Sequence, residues 1–226
     1  MKKVQIFIAG DSTAANYEPS SAPQAGWGQL LPFFFSEGAA IHNKAMNGRS
    51  SKSFIEEGRL TEISEEIREN DYLLIQFGHN DSKPEAARRT DPFSTYQKYL
   101  AEYIDTARSN KATPVLLTPV QRRKFSADGA LEQTHGDFPE AMRQLAQKES
   151  VHLIDMTELT SHLLNRLGPE ESKHLFMWLN KNASANFPDG VQDDTHFTEG
   201  GAKEIARIVA ASIANMPAAL SHYVKI

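Results

Sequence analysis

The chain has 226 residues, 40% hydrophobic and 23% charged, with a formal net charge of -5. That length can bury one full core without staples, and the absence of cysteine excludes disulfides, thiolate metal sites and a Cys nucleophile. So mild an acidic excess leaves no electrostatic footprint for nucleic acid or an anionic membrane.

In chain order, Met1-Lys2-Lys3 resembles the start of a signal peptide. The apolar run at residues 4–9 is too short for one and leads straight into Gly10-Asp11-Ser12, so a cytoplasmic location is expected. Residues 4–9 instead read as a strand. So do residues 40–45, 72–77, 114–118 and 151–154, each a short continuous apolar run bounded by turn residues or charges, as in strands buried on both faces. Helical patterns lie between and after them. Residues 59–69 space Leu60, Ile63 and Ile67 on one face, and residues 95–110 carry a stripe from Tyr96 through Tyr103 to Ala107. Residues 138–148 and 157–167 are further helix candidates, and Phe176-Met177-Trp178-Leu179 reads as a piece of helix, its default role core packing and its alternative a substrate wall. The last helix, residues 200–215, turns Ala202, Ile205, Ala206, Val209 and Ile213 inward, with Thr198 as its N-cap. No later stretch approaches the roughly 18 apolar residues of a membrane span.

Strand and helix alternate without repeats or linkers. The expected architecture is a single three-layer α/β/α domain over residues 1–226 with a parallel sheet. Two polar loops are long enough to suggest function: residues 119–135, with Arg122-Arg123-Lys124, and residues 180–194.

Ligands of open parallel sheets gather beyond the carboxyl ends of the strands. The first strand ends in Gly10-Asp11-Ser12-Thr13, the second in Met46-Asn47-Gly48-Arg49-Ser50, the third in Gly78-His79-Asn80-Asp81. Asp193-Asp194-Thr195-His196 stands before the last helix. Acyl transfer needs a hydroxyl nucleophile, an imidazole base, a carboxylate that fixes its tautomer, and donors for the oxyanion. Ser12 can be the hydroxyl, His196 the base and Asp193 the carboxylate, on one short loop with His196. The N–H groups of Ser12 and Gly48 and the Asn80 amide can form the oxyanion hole. Taken one by one, these residues have blander readings. Ser12 can cap a helix, Gly48 can serve a turn, and His196 can be a solvated loop residue.

The four blocks, in this order, resemble those of the SGNH hydrolase superfamily, named for the Ser, Gly, Asn and His that are here Ser12, Gly48, Asn80 and His196. Gly10-Asp11-Ser12-Thr13-Ala14-Ala15, Gly26-Trp27-Gly28-Gln29, the run from Asn43 to Ser50, Phe77-Gly78-His79-Asn80-Asp81 and Asp194-Thr195-His196-Phe197 look most like rhamnogalacturonan acetylesterases. The resemblance covers about residues 4–213. It implies a flavodoxin-like fold with five parallel strands in the order 2-1-3-4-5, a serine acyl-enzyme mechanism, no metal or organic cofactor, and an acetylated oligosaccharide as substrate. It gives Ser12, Asp193 and His196 the triad roles and Ser12, Gly48 and Asn80 the oxyanion roles. Asp194, a second carboxylate beside Asp193, is then a loop or capping residue.

Four further positions are substrate-binding candidates. Trp27 can stack on a sugar or pack beneath the first loop, and His79 can face substrate or hold its own loop. Arg122 and Arg123 can meet an acidic sugar such as a galacturonate, or belong to a solvated surface with Lys124. Asp11 reads as structural, bonding loop N–H groups. The eight histidines show no metal-ligand spacing, and without a Gly-x-Ser-x-Gly elbow the α/β-hydrolase fold is disfavoured. Two rivals stand beside a carbohydrate acetylesterase: a lipase, thioesterase or broader esterase with the same chemistry, and a non-catalytic carbohydrate-binding protein on the same fold. Oligomeric state is not readable.

Overall fold

The computed structural model describes residues 3–226; Met1 and Lys2, which begin the signal-peptide reading, lie outside them. In chain order the strands are β1 (Val4–Gly10), β2 (Gln24–Ala25), β3 (Ala39–Asn43), β4 (Tyr72–Gln76), β5 (Thr113–Leu117), β6 (His152–Ile154), β7 (Phe176–Leu179) and β8 (Val191–Thr198). The α-helices are α1 (Trp27–Leu30), α2 (Ser51–Glu56), α3 (Arg59–Glu66), α4 (Gln97–Ser109), α5 (Phe138–Glu149), α6 (Met156–Glu171) and α7 (Glu199–Ala214).

The main sheet runs β3-β1-β4-β5-β6, and every pairing in it is parallel. Counted along the chain, its five strands stand in the order 2-1-3-4-5. Alternation along β1 shows why its sequence is apolar throughout. Ile6 and Ile8 join the core beneath α1, α6 and α7, while Phe7 and Ala9 join the opposite core beneath α3, α4 and α5. A strand covered by helices on both faces has no polar face to present. The predicted helices lie within a few residues of their expected limits. The pattern read at 95–110 starts late because a wide π-type turn occupies Pro92–Tyr96. That read at 157–167 stops where the backbone of α6 breaks at Gly168, before Pro169. Thr198 caps α7 by accepting the Gly201 N–H at 3.2 Å.

The helical reading of Phe176–Leu179 is corrected: these residues form β7, which pairs antiparallel with β8 in a second, three-stranded sheet, β2-β8-β7. A four-residue apolar run carries no period that separates helix from strand, and the partner that decides it lies some fifteen residues on. None of the helices among the described residues is long and apolar enough to cross a membrane.

Candidate active site

β1, β3 and β4 are neighbours and parallel, so their carboxyl ends open at one sheet edge. Ser12 follows β1, Gly48 follows β3 and Asn80 follows β4. β8 brings His196 to the same edge. Ser12, Gly48, Asn80 and His196 all line one cleft of about 990 Å³.

His196 Nε2 lies 2.9 Å from Ser12 Oγ, and Nδ1 lies 2.7 Å from Asp193 Oδ2. An ionised carboxylate only accepts, so Nδ1 carries the ring hydrogen and Nε2 is left to accept from the Ser12 hydroxyl. The other Asp193 oxygen accepts the backbone N–H groups of Thr195 and His196, at 2.7 and 3.0 Å. Burial raises the Asp193 carboxyl, but its bonds to the His196 ring and the two N–H groups outweigh this and hold it down at about 2.

Asp193 and His196 meet because β8 is irregular. In a regular strand, residues three apart point to opposite faces. Here the register jumps from Trp178 opposite Gln192 to Phe176 opposite Phe197, so residues 193–196 stand against Met177 alone. This bulge turns Asp193 and His196 to one side, with His196 on the cleft. The expected short loop is thus a distorted strand held by pairing on both sides. Asp194 faces the other way. Its Oδ1 accepts from Arg123 Nε at 2.8 Å and from Trp178 Nε1 at 2.7 Å, which anchors the bulge to β7; it is neither a solvated loop residue nor a cap.

The backbone N–H groups of Ser12 and Gly48 have no protein acceptor among the described residues. Asn80 donates one amide hydrogen to the Arg49 carbonyl at 3.0 Å, which leaves the second for a ligand. Gly48 has φ +77°, and a Cβ there would meet nothing within 4 Å. Its requirement within the protein is therefore the left-handed backbone that aims the N–H.

The four candidate substrate-binding residues separate. Arg122 lines the cleft. Its guanidinium donates only to the neutral Thr134 carbonyl and hydroxyl and the His79 carbonyl, and burial lowers its pKa. Arg123, in the same loop, points away from the cleft. It is 6% exposed, pairs with Asp194, donates to the Pro169 carbonyl and lies 4.5 Å over the Trp178 ring; substrate contact is corrected to a structural ion pair. Trp27 is also corrected. It is fully buried and donates to Gln76 at 2.6 Å, with no face for a sugar. His79 borders the cleft, but its ring is 3% exposed and bonded to Asp11. Sequence reading missed Tyr17, whose hydroxyl donates to the Ser12 carbonyl at 2.9 Å, and the cleft cations Lys83 and Arg88. The basic cluster just after Asn80 was the available signal. The described residues contain no grouping of three or more metal-ligating side chains.

A parallel sheet with helices on both faces, carrying a Ser–His–Asp relay and convergent N–H donors at its carboxyl edge, defines a serine hydrolase of the three-layer α/β/α type. The chain belongs to the GDSL-like lipase/acylhydrolase family, whose description it matches over residues 8–203. It is 50% identical over 212 residues to the rhamnogalacturonan acetylesterase RhgT of Bacillus subtilis, covering 94% of this chain and 90% of the relative. It is 41% identical over 209 residues to the probable rhamnogalacturonan acetylesterase YesY of the same organism, covering 92% and 91%. Among solved structures, protein YxiM of Bacillus subtilis superposes with a TM-score of 0.80 at 27% identity, covering 94% of this chain and 56% of that longer one.

Proposed function

We propose that residues 1–226 act as one catalytic domain that removes acetyl groups from acidic, pectin-derived oligosaccharides of the rhamnogalacturonan type, through an acetyl-serine intermediate. The observation that carries this reading is the Ser12–His196–Asp193 relay opening onto a polar, cationic cleft. The 50% identity to RhgT over 94% of the chain supports the substrate class.

Asp193 holds His196 in the tautomer whose Nε2 takes the Ser12 proton. Ser12 Oγ attacks the acetyl carbonyl, and the N–H groups of Ser12 and Gly48 with the free Asn80 amide hydrogen stabilise the oxyanion. Collapse expels the sugar oxygen, which takes the proton from His196. Water then attacks acetyl-Ser12 with His196 as base, and acetate leaves.

Arg122 is the substrate-binding candidate the geometry favours. A half-buried guanidinium bonded only to neutral groups is poorly compensated, and a uronate carboxylate would compensate it. Lys83, Arg88 and Lys124 line the same cleft. No Leu, Ile, Val or Phe does, which disfavours the lipase reading, since a long acyl chain needs an apolar wall.

Acetate release from acetylated pectin fragments and from acetylated xylan fragments tests the reading, with p-nitrophenyl acetate and octanoate as small substrates. The pectin fragments and the acetate are the expected preferences, with Ser12→Ala folded and nearly inactive. Wild-type turnover by Ser12→Ala, or preference for octanoate, would overturn it.

A further inference from the structure

Asp11 and His79 are buried titratable groups that the acyl-transfer steps leave unused. Asp11 Oδ1 accepts from the Thr13 N–H and hydroxyl, at 2.9 and 2.8 Å, and its Oδ2 accepts from His79 Nδ1 at 3.2 Å. Burial alone would raise the Asp11 carboxyl. The His79 imidazole and the Thr13 donors outweigh burial and hold it below the ordinary carboxylate value. The His79 ring packs edge-on against His135 with centroids 4.6 Å apart, and the His79 carbonyl accepts from Arg122 at 3.2 Å.

The place of this pair in the chain gives it leverage. Asp11 immediately precedes Ser12, and His79 immediately precedes Asn80. The β1–β4 ladder that joins the two segments ends at Gly10 opposite Gln76. Beyond it, the Asp11–His79 bond is the only hydrogen bond among the described residues between residues 11–13 and residues 78–81. The nucleophile and the Asn80 amide therefore sit on two separate tails joined directly by this one hydrogen bond.

We propose that Asp11 and His79 are positioning residues that clamp the Ser12 turn to the Asn80 loop, so that nucleophile and oxyanion donor meet one carbonyl together. Displacing reacting groups by about an ångström can cost on the order of 10²-fold in rate, and ground-state sugar contacts made elsewhere in the cleft would not share that loss. The inference rests on the serine-esterase reading above.

Steady-state kinetics on acetylated oligosaccharide test it with three variants. His79→Leu removes the donor. His79→Asn puts an amide N–H where Nδ1–H stood. Asp11→Asn weakens the acceptor at nearly constant volume. His79→Leu and Asp11→Asn should each lose about 10- to 100-fold in kcat with KM changed by less than about twofold, and His79→Asn should recover most of kcat. A His79→Asn no better than His79→Leu, or a loss carried by KM alone, overturns the clamp. Should His79→Leu fail to fold, Asp11→Asn with wild-type kcat overturns it equally. Ser12→Ala in the same assay separates the two claims: an active Ser12→Ala sinks both, whereas an inactive one beside unimpaired pair variants sinks only the clamp.

Discussion

Two adjacent aspartates with the same chemistry have different work because successive strand residues face opposite ways and the bulge in β8 brings His196 round to the Asp193 side. Asp193 meets His196; Asp194 meets Arg123 and Trp178. Asp193→Asn should therefore favour the wrong ring tautomer and lower kcat on the order of 10²–10⁴-fold. Asp194→Asn should chiefly lower the melting temperature, because it leaves the buried Arg123 guanidinium short of its partner. Kinetics and thermal melts on the two variants check the division; equal losses of turnover would contradict it. The carboxyl of Asp193, held at about 2, adds a pH signature. Its contribution to stability is complete above its unfolded value near 3.8 and is lost as pH falls through about 2. Acid unfolding of Asp193→Asn should lack that step.

At the scale of elements, the catalytic edge depends on how α2 and α7 are seated. Asp81, the residue after Asn80, lies at the start of α2, where Oδ1 accepts from the Ser51 N–H at 3.1 Å, the Ser51 hydroxyl at 2.5 Å and the Thr90 hydroxyl at 3.1 Å. Burial pushes its carboxyl up to about 7 even against those donors. A raised value means the folded state holds the proton longer than the unfolded chain does. The contribution is thus fully present below pH 3.8 and drains away as pH rises toward 7. Asn can keep the bonds to Oδ1 and cannot ionise, so Asp81→Asn should flatten the fall in melting temperature between about pH 4 and 7. A slope identical to wild type would disprove it. Beneath β8, Gly201 in the first turn of α7 lets the helix press on the Leu175 backbone, where a Cβ would fall 1.8 Å from the carbonyl oxygen. Gly201→Ala should cost at least the upper end of the about 1–3 kcal/mol typical of core overpacking, read by denaturant unfolding. The larger effect should be on the His196 strand, which leads directly into that helix.

The whole molecule carries net charge -5, yet the cleft gathers Lys83, Arg88, Arg122 and Lys124. Among these, Arg88 pairs with Glu85 and Lys124 with Glu132, while Arg122 has only neutral acceptors. A cationic cleft in an acidic body focuses its field on the entrance and attracts anionic ligands, and salt screens that attraction. kcat/KM on uronate-containing substrate should fall as salt rises from about 0.01 to 0.5 M, and on neutral p-nitrophenyl acetate it should stay flat. Arg122→Gln should erase most of the difference. Equal salt dependence on both substrates would contradict the field argument.

The sequence by itself determined the layer architecture, because strands buried on both faces must be apolar throughout and helices half-buried must be striped. It also marked the four site blocks, since Gly10-Asp11-Ser12, Gly48 and Asn80 follow apolar strand runs and Asp193-x-x-His196 stands just before the last helix. Only the tertiary structure decided what depends on a distant partner: that Phe176–Leu179 is a strand, that residues 193–196 are a bulge, that Arg123 and Trp27 are buried while Arg122 opens to the cleft, and that Asp11 reaches His79. The reason is physical. Periodicity records which way a side chain faces relative to its own neighbours along the chain. Register, pleat phase and ion pairing are settled by groups far away in sequence, whose positions local pattern does not encode.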